Sequence, residues 1–289
     1  MIEALLKYEF LQHAFLVGGL IGFLAPMLGV FIVVRKLSLI ADTLSHLTLT
    51  GIACHLFLTQ HFSFFLQLHP LWMGMSFSVI GAVLLEKLRH IFHSFKEFAI
   101  PVVLSSGIGL GVVFLSLADG FNNDLFQYLF GSMIAVTKED VWTVFFVTVI
   151  VMGLLMLFYK EILFLSFDEE QARVSGIRSN FSQLLFIVMT ALVISISMRI
   201  VGILLVSSLM ILPVATALQF ARSFKQMFAY AIIFGELAVV FGMWAAFSFH
   251  IAPGGTIVVL SLLLFIVLLS GRKLLGLPVR VYRSKKEEM

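Results

Sequence analysis

The sequence predicts an all-α protein, a polytopic bundle of transmembrane helices that forms a single domain over residues 1–289. Two observations predict this fold. Apolar residues make up 61% of the chain and its mean hydropathy is +1.09, whereas soluble domains contain about 45–50% apolar residues. The apolar residues also occur in long runs separated by charges and prolines, which is the pattern of membrane-spanning helices.

Hydropathy, read with breaks at charges and prolines, predicts nine crossings of the membrane. The alternative is eight, because residues 181–220 must turn around Ser197 to Gly202 in very few residues and could instead form one full and one broken helix. The nine predicted crossings are residues 12–34, 37–58, 71–86, 98–117, 140–159, 181–198, 200–220, 227–249 and 254–270.

The distribution of Lys and Arg predicts the orientation of the chain. With the amino terminus outside, only Lys7, Lys138 and Arg199 of the 19 Lys and Arg residues lie on the outer side. Because positive residues accumulate in cytoplasmic loops, we expect this orientation and, from the odd number of crossings, a cytoplasmic carboxyl terminus. We further expect an interfacial helix over residues 1–10 and a basic cytoplasmic tail over residues 271–289.

Several classes of function are excluded by what the sequence lacks. The pI is near 9.0, yet no basic helix interleaved with aromatic residues indicates a nucleic-acid partner. The single cysteine, Cys54, excludes an internal disulfide or a thiolate cluster. The sequence has no GxxxxGK[ST], no HExxH and no nucleophile elbow. We therefore expect that the chain is not itself an enzyme and that it has no permanently bound cofactor.

The most informative feature is a pair of polar residues, Asp42 and His46, within the second predicted crossing. Residues four apart on a helix lie about 40° apart around its axis and about 6 Å apart along it, so both side chains can reach one divalent cation. A carboxylate in the hydrocarbon region costs about 2.5–3.5 kcal/mol. A polar pair packed against a neighbouring helix is one explanation, and ligands on an ion pathway are the other.

Further candidate ligands lie elsewhere in the apolar segments. Glu236 falls near the middle of the eighth crossing, where an acid is a functional candidate; a protonated Glu236 bonded to a hydroxyl is the alternative. His55 and His250 fall near the outer face, together with His61 and His69, which we interpret as interfacial polar residues. Nitrogen ligands favour Zn²⁺ over Mn²⁺.

The cytoplasmic segment 166–178 carries a second pattern, an acidic stretch that leads into a glycine. It predicts a short amphipathic helix that ends at the glycine, with a solvated charged loop as the alternative. The residues of this pattern are Phe167, Asp168, Glu169, Glu170, Ala172 and Gly176.

Together with this acidic loop, four segments occur in the order seen in the zinc/manganese permease family of ATP-binding-cassette importers, and the chain resembles that family over about residues 11–275. The four segments are residues 35–51 (RKLSLIADTLSHLTLTG), 128–136 (YLFGSMIAV), 201–217 (VGILLVSSLMILPVATA) and 253–260 (PGGTIVVL). The stretch around ADTLSH is most similar to zinc members of the family.

The resemblance implies a permease of the bacterial plasma or inner membrane, a homodimer embedded in lipid. Such a permease receives a metal ion from an extracellular binding protein and works with two cytoplasmic ATPase subunits. Zinc is then the expected cargo, with manganese or iron(II) as alternatives. A metal-selective channel or a proton-coupled carrier is a further alternative, which would need Asp42 and His46 but not the acidic helix.

The resemblance also implies roles for individual residues. Asp42 and His46 match the metal ligands of the family, and the acidic helix matches the segment that docks on the ATPase. We expect Arg35 and Lys36 to form a gate that discourages inward leakage of a resting cation. The family usually has an aspartate just ahead of the proline of the last helix, where this chain has Ile251 after His250. We hypothesise that Glu236 or His250 substitutes for that carboxylate.

Overall fold

A computed structural model describes residues 7–92, 95–118 and 123–274 of the chain. These residues form eleven α-helices and no strand, so the all-α prediction is confirmed for the described part of the chain. The helices are α1 (Glu9–Val34), α2 (Ser38–His61), α3 (Pro70–Ile91), α4 (Ala99–Leu117), α5 (Asn123–Phe130), α6 (Lys138–Phe167), α7 (Glu169–Val174), α8 (Ser179–Ser197), α9 (Ile203–Leu218), α10 (Phe224–Phe249) and α11 (Pro253–Leu274).

Each of the nine apolar segments contains a helix, but length and hydropathy support fewer crossings than nine. Within the described ranges, seven helices are long and apolar enough to span a membrane: α1, α3, α4, α6, α8, α10 and α11. Helix α2 does not meet this criterion because polar residues interrupt it, and α9 has only 16 residues. Neither nine nor eight crossings is therefore confirmed.

The remaining expectations agree with the structure in part. Residues 181–220 form two helices with a turn between them, as the nine-crossing prediction requires. Helix α5 was not predicted. The interfacial helix expected over residues 1–10 falls largely outside the described residues, and α1 already begins at Glu9. Helix α11 continues to Leu274, so the first residues of the expected basic tail are helical, while residues 275–289 lie outside the described part.

Helix α1 forms the centre of the bundle because its residues are apolar on all sides. It packs against α6, α8, α9 and α10. Near its carboxyl end, the buried Phe31 ring packs against the rings of Phe186 and Phe228, with centroids 5.9 and 5.2 Å apart. Clusters of this kind fix neighbouring helices through apolar burial and aromatic contact.

The turn from α1 to α2 is short and well defined. Lys36 adopts the left-handed conformation (φ 56°), and its backbone N–H donates to the carbonyl of Val33. The N–H of Leu37 donates to the carbonyl of Ile32, which completes a Schellman motif. This turn leaves Lys36 exposed and directs Arg35 into the protein.

Polar contacts between helix termini divide into two groups at opposite ends of the bundle. We call one the Arg35 end, where Arg35, Gln183 and Glu86 interact. We call the other the Arg199 end, where Arg199, His69 and Asp140 interact. Helix α2 starts beside Arg35 and leads towards His69. Helix α9 starts beside Arg199 and leads towards Phe224, whose ring lies 5.7 Å from that of Phe31, near Arg35. Both helices therefore run between the two ends.

Glycines allow three segments to cross closely at the Arg199 end. A Cβ atom at Gly131 would overlap the carbonyl oxygen of Ile200, and one at Gly254 would overlap that of Val201. Gly131 and Gly202 also have positive φ values of 78° and 83°, which favour glycine. The sequence segments 128–136, 201–217 and 253–260 thus meet at one place in the fold.

Candidate functional site

Helix α2 carries the candidate site and is lined with hydroxyl groups that bond to its own backbone. The hydroxyls of Thr43, Ser45, Thr48 and Thr50 each donate to the carbonyl four residues earlier, over 2.8–2.9 Å. The Thr50 hydroxyl also lies 2.7 Å from the carbonyl oxygen of Gly107 in α4. These polar groups are therefore satisfied without water, as an apolar environment requires.

Asp42 and His46 differ from these hydroxyl groups. Both side chains are half-buried, and the charge of Asp42 acts on the imidazole of His46. In the described part of the chain, neither side chain makes a hydrogen bond or an ion pair within 4.0 Å. Leu39, one turn before Asp42, is 54% exposed. The pair therefore lies on a side of α2 that the helices of its own chain leave partly open.

The chain alone does not complete a metal site around this pair. Among the residues that the structure describes, no group of three or more His, Cys, Asp or Glu could hold a metal ion. Zinc sites in proteins usually have at least three protein ligands. Asp42 and His46 can thus supply two ligands, and the remainder must come from water, a partner or another conformation.

The other predicted ligands are placed apart from this pair. Glu236 lies in a groove of α1, where its Cδ is 3.4 Å from the position of a Cβ at Gly22, and α10 packs on α1, α9 and α11. His55 is 4% exposed, and its Nδ1 has no hydrogen-bond partner among the described residues. His250 caps α10 in the left-handed conformation and lines a cavity of about 330 Å³ together with Phe10 and Pro253.

The Arg199 end contains an ionic cluster that the sequence reasoning did not identify. Nη2 of Arg199 lies 2.6 Å from Nε2 of His69, and Nε of Arg199 lies 3.4 Å from Oδ1 of Asp140. His69 and Asp140 are 3.5 Å apart. Burial and the neighbouring Arg199 charge lower the pKa of His69, although Asp140 opposes this effect. The cluster joins the first residues of α3 and α6 to the turn before α9.

The predicted gate residues have different surroundings. Lys36 is exposed, whereas Nη2 of Arg35 donates a 3.0 Å hydrogen bond to Oε1 of Gln183 in α8. Burial, followed by the nearby Arg89 charge, lowers the pKa of Arg35 to about 10. Arg35 therefore remains charged at neutral pH.

The acidic segment forms helix α7. Oδ1 of Asp168 accepts hydrogen bonds from the backbone N–H groups of Glu170 and Gln171, both at 3.0 Å. Ala172 is fully buried, and Gly176 ends the helix with φ 82° in a Schellman motif. The expected short helix is thus present, with the apolar side chain of Val174 89% exposed. Phe167 is 57% exposed and packs its ring against Phe224.

Comparisons with known proteins extend over nearly the whole chain. Residues 7–271 match the ABC 3 transport family. The chain is 32% identical to manganese import system permease protein ScaB of Streptococcus gordonii over 266 residues, with 92% of each chain covered. It is also 32% identical to high-affinity zinc uptake system membrane protein ZnuB of Haemophilus influenzae, covering 92% of this chain and 99% of that protein.

One solved structure has the same fold, and its sequence is as similar to this chain as those of the two relatives. This structure, PsaBC from Streptococcus pneumoniae in complex with Fab, is similar with a TM-score of 0.79 and 32% identity. The similarity covers 92% of this chain and 93% of that chain.

Proposed function

The chain belongs to the ABC 3 transport family, and from this premise we propose that it is the permease subunit of an ATP-driven importer of zinc ions. It is a multi-pass protein of the bacterial membrane. The observation that carries the proposal is the position of Asp42 and His46, a carboxylate and an imidazole on the half-open side of α2 that have no hydrogen-bond or ion-pair partner among the residues that the structure describes.

The metal is assigned from the chemistry of the ligands. Carboxylate and imidazole together suit Zn²⁺ and also bind Mn²⁺ or Fe²⁺. Zinc is favoured because other histidines, including His55 and His69, lie towards the end of the bundle from which the ion would enter. The relatives are named for manganese as well as for zinc, so manganese and iron(II) are the competing substrates.

A homodimer explains how two ligands per chain can serve one ion. If the open sides of α2 from two copies face each other across a twofold axis, two aspartates and two histidines surround the axis. A shared and incomplete site binds a metal ion less tightly than a closed four-ligand site within one chain. Such a site can release the ion again, which transport requires.

We place the Arg35 end in the cytoplasm, with nine crossings and the amino terminus outside. The excess of Lys and Arg in the loops of that end supports this orientation. The path of α2 and α9 between the two ends of the bundle supports nine crossings. The polar helix α2 is accommodated because its hydroxyls bond to its own backbone. Helices α3, α4, α8 and α9 also pack against the sides of α2 away from Asp42 and His46.

Helix α7 is the segment that we assign to docking on the ATPase. The exposed Val174 and Phe167, next to the acidic Glu169 and Glu170, form a small apolar and negative surface at the Arg35 end. Two cytoplasmic ATPase subunits and an extracellular metal-binding protein are the partners that the proposal requires. In this arrangement Arg35 lies below Asp42 and opposes the inward leakage of a cation.

Reconstitution in lipid vesicles tests the function. The chain is incorporated with and without its ATPase and binding protein, and uptake of Zn²⁺, Mn²⁺ and Fe²⁺ is compared. We expect Zn²⁺ uptake that requires ATP and both partners. Uptake without the ATPase would indicate a channel or a carrier, and a preference for Mn²⁺ or Fe²⁺ would reassign the substrate.

A further inference from the structure

A buried polar network connects three helices at the Arg35 end. Arg35 donates to Oε1 of Gln183 at 3.0 Å, and Nε2 of Gln183 donates to Oε2 of Glu86 at 3.2 Å. The same Oε2 atom lies 3.6 Å from Nη1 of Arg89. The network thereby joins the end of α1, the second turn of α8 and the last turns of α3.

Gln183 is the neutral bridge of this network. Its side chain and that of Glu86 are almost fully buried, with 5% and 6% of each residue exposed. The amide oxygen of Gln183 accepts from the Arg35 guanidinium, and its nitrogen donates to the Glu86 carboxylate. Gln183 therefore holds both charged groups in place without adding a charge of its own. Glu86 offsets only one of the two arginines, and the network carries excess positive charge.

Both arginines retain unused hydrogen-bond donors. Nη1 of Arg35 and Nε and Nη1 of Arg89 are buried and have no hydrogen-bond partner among the described residues. Unpaired buried donors are costly. Arg35 in particular can still accept a further anionic partner.

A candidate for that partner is on α7. The carboxylate of Glu169 acts electrostatically on Arg35, while in this state it lies 3.9 Å from the exposed Arg173 guanidinium. Arg35 also lies in the short turn that leads into α2, and Asp42 lies in the second turn of that helix. The network is thus situated between the proposed ATPase-docking helix and the proposed metal ligands.

We propose that Arg35, Gln183 and Glu86 form a release latch for the metal ion, in which Arg35 exchanges its Gln183 partner for Glu169 when the ATPase displaces α7. This inference rests on the proposed function. With Arg35 on Gln183, positive charge remains beneath Asp42 and His46 and blocks the cytoplasmic exit. Because a carboxylate is a stronger acceptor for guanidinium than a neutral amide, an approach of Glu169 favours the exchange and moves Arg35 aside.

The first test measures leakage from Zn²⁺-loaded vesicles without ATP, with an external zinc indicator. Gln183→Leu removes the partner that holds Arg35, and we expect leakage to rise about tenfold, the factor that corresponds to one lost hydrogen bond to a charged group. Ser182→Ala is the matched control. Ser182 is next to Gln183 on α8, and the substitution removes only a 2.6 Å hydrogen bond from Ser182 to Glu161. Gln183→Asn, which keeps the amide but shortens its reach, replaces Gln183→Leu if that variant does not fold.

The second test measures Zn²⁺ imported per ATP hydrolysed by the complete transporter. Glu169→Gln removes the charged acceptor, and we expect this ratio to fall about tenfold. Because Glu169 also lies on the proposed docking surface, ATPase binding by the variant is measured separately, and the ratio counts only the ATP that assembled complexes hydrolyse. If the Gln183 variants leak zinc no faster than the wild type, the latch is overturned. The same holds if Glu169→Gln imports as much Zn²⁺ per ATP hydrolysed as the wild type. Both results leave the proposed function intact as long as the wild-type chain imports zinc. Failure of the wild-type chain to import zinc would instead overturn the proposed function, and the latch with it.

Discussion

At the residue scale, the polar side chains of α2 fall into two kinds. The hydroxyls of Thr43, Ser45, Thr48 and Thr50 bond to their own helix and need nothing else. Asp42 and His46 have no such partner among the described residues, although a membrane environment makes an unpaired carboxylate expensive. The cost is explained if both side chains bind an ion that passes along this side of the helix.

Acid should destabilise the Arg199 end through His69. Burial and Arg199 lower the pKa of His69 below 6.5, the value expected when unfolded. The unfolded chain therefore binds the proton more readily, and stability present above pH 6.5 is lost as the pH falls towards the folded pKa. We expect thermal unfolding in detergent to shift to lower temperature over this range.

A matched pair of variants identifies the group responsible. His69→Gln should flatten the pH dependence of the unfolding temperature, because glutamine can bond to Arg199 but does not titrate. His61→Gln, at an exposed position on the same side of the bundle, should leave it unchanged. An equally steep pH dependence in His69→Gln would contradict the assignment.

The sequence identified Asp42 and His46 because two polar residues four apart are conspicuous in an apolar helix. It did not identify Gln183, Glu86 or the cluster of His69, Asp140 and Arg199. The reason is physical: the hydrogen bond between Gln183 and Glu86 joins residues 97 positions apart, and local spacing contains no information about such contacts. A lone amide in an apolar helix, as at Gln183, is the weak signal that was available.

At the element scale, the close crossing at the Arg199 end makes Gly254 a sensitive position. A Cβ at Gly254 would overlap the Val201 carbonyl, whereas one at Gly255 meets nothing within 4 Å. We expect Gly254→Ala to lower stability by about 1–3 kcal/mol, as overpacking does. Gly255→Ala is the control, and thermal unfolding of the two proteins is the measurement. Equal stability of both variants would refute the predicted close contact.

A substitution at Gly176 should disturb helix α7 without destabilising the rest of the bundle. Alanine in the left-handed conformation costs about 1–2 kcal/mol, and the added Cβ meets no other described residue within 4 Å apart from its neighbours in the chain. We therefore expect Gly176→Ala to weaken ATPase binding by about tenfold without changing the unfolding temperature of the bundle. The exposed neighbour Ser175, changed to alanine, serves as control in a pull-down titration. Unaltered ATPase affinity in Gly176→Ala would argue against docking through α7.

The helices themselves were predictable, and their exact limits were not. Each of the nine long apolar runs in the sequence contains a helix. However, α6 extends to Phe167 and α3 to Ile91, beyond the predicted ends at residues 159 and 86. Helices continue past the membrane boundary into charged sequence, where hydropathy falls although backbone hydrogen bonding does not. Helix α5 was missed for a similar reason, since eight residues with mixed polarity produce no hydropathy peak.

At the scale of the whole molecule, the proposed shared metal site requires two copies of the chain. If the open sides of α2 meet, purified protein should bind one Zn²⁺ for each pair of chains. Leu39→Trp should prevent this close approach and abolish binding while leaving Asp42 and His46 intact. Leu157→Trp, at a position 74% exposed on α6, should preserve it. One tightly bound ion per chain in the Leu39 variant would contradict the shared site.

The central claim is that Asp42 and His46 lie on the path of the metal ion. Its most direct test is ATP-driven Zn²⁺ uptake by the double variant Asp42→Asn, His46→Gln, assembled with the ATPase and the binding protein. Thr43→Val, which removes an internally bonded hydroxyl between them, is the control. The account predicts that uptake falls to the level of vesicles without permease in the double variant and persists in the control. Uptake at the wild-type rate by a folded, ATPase-bound double variant would contradict it.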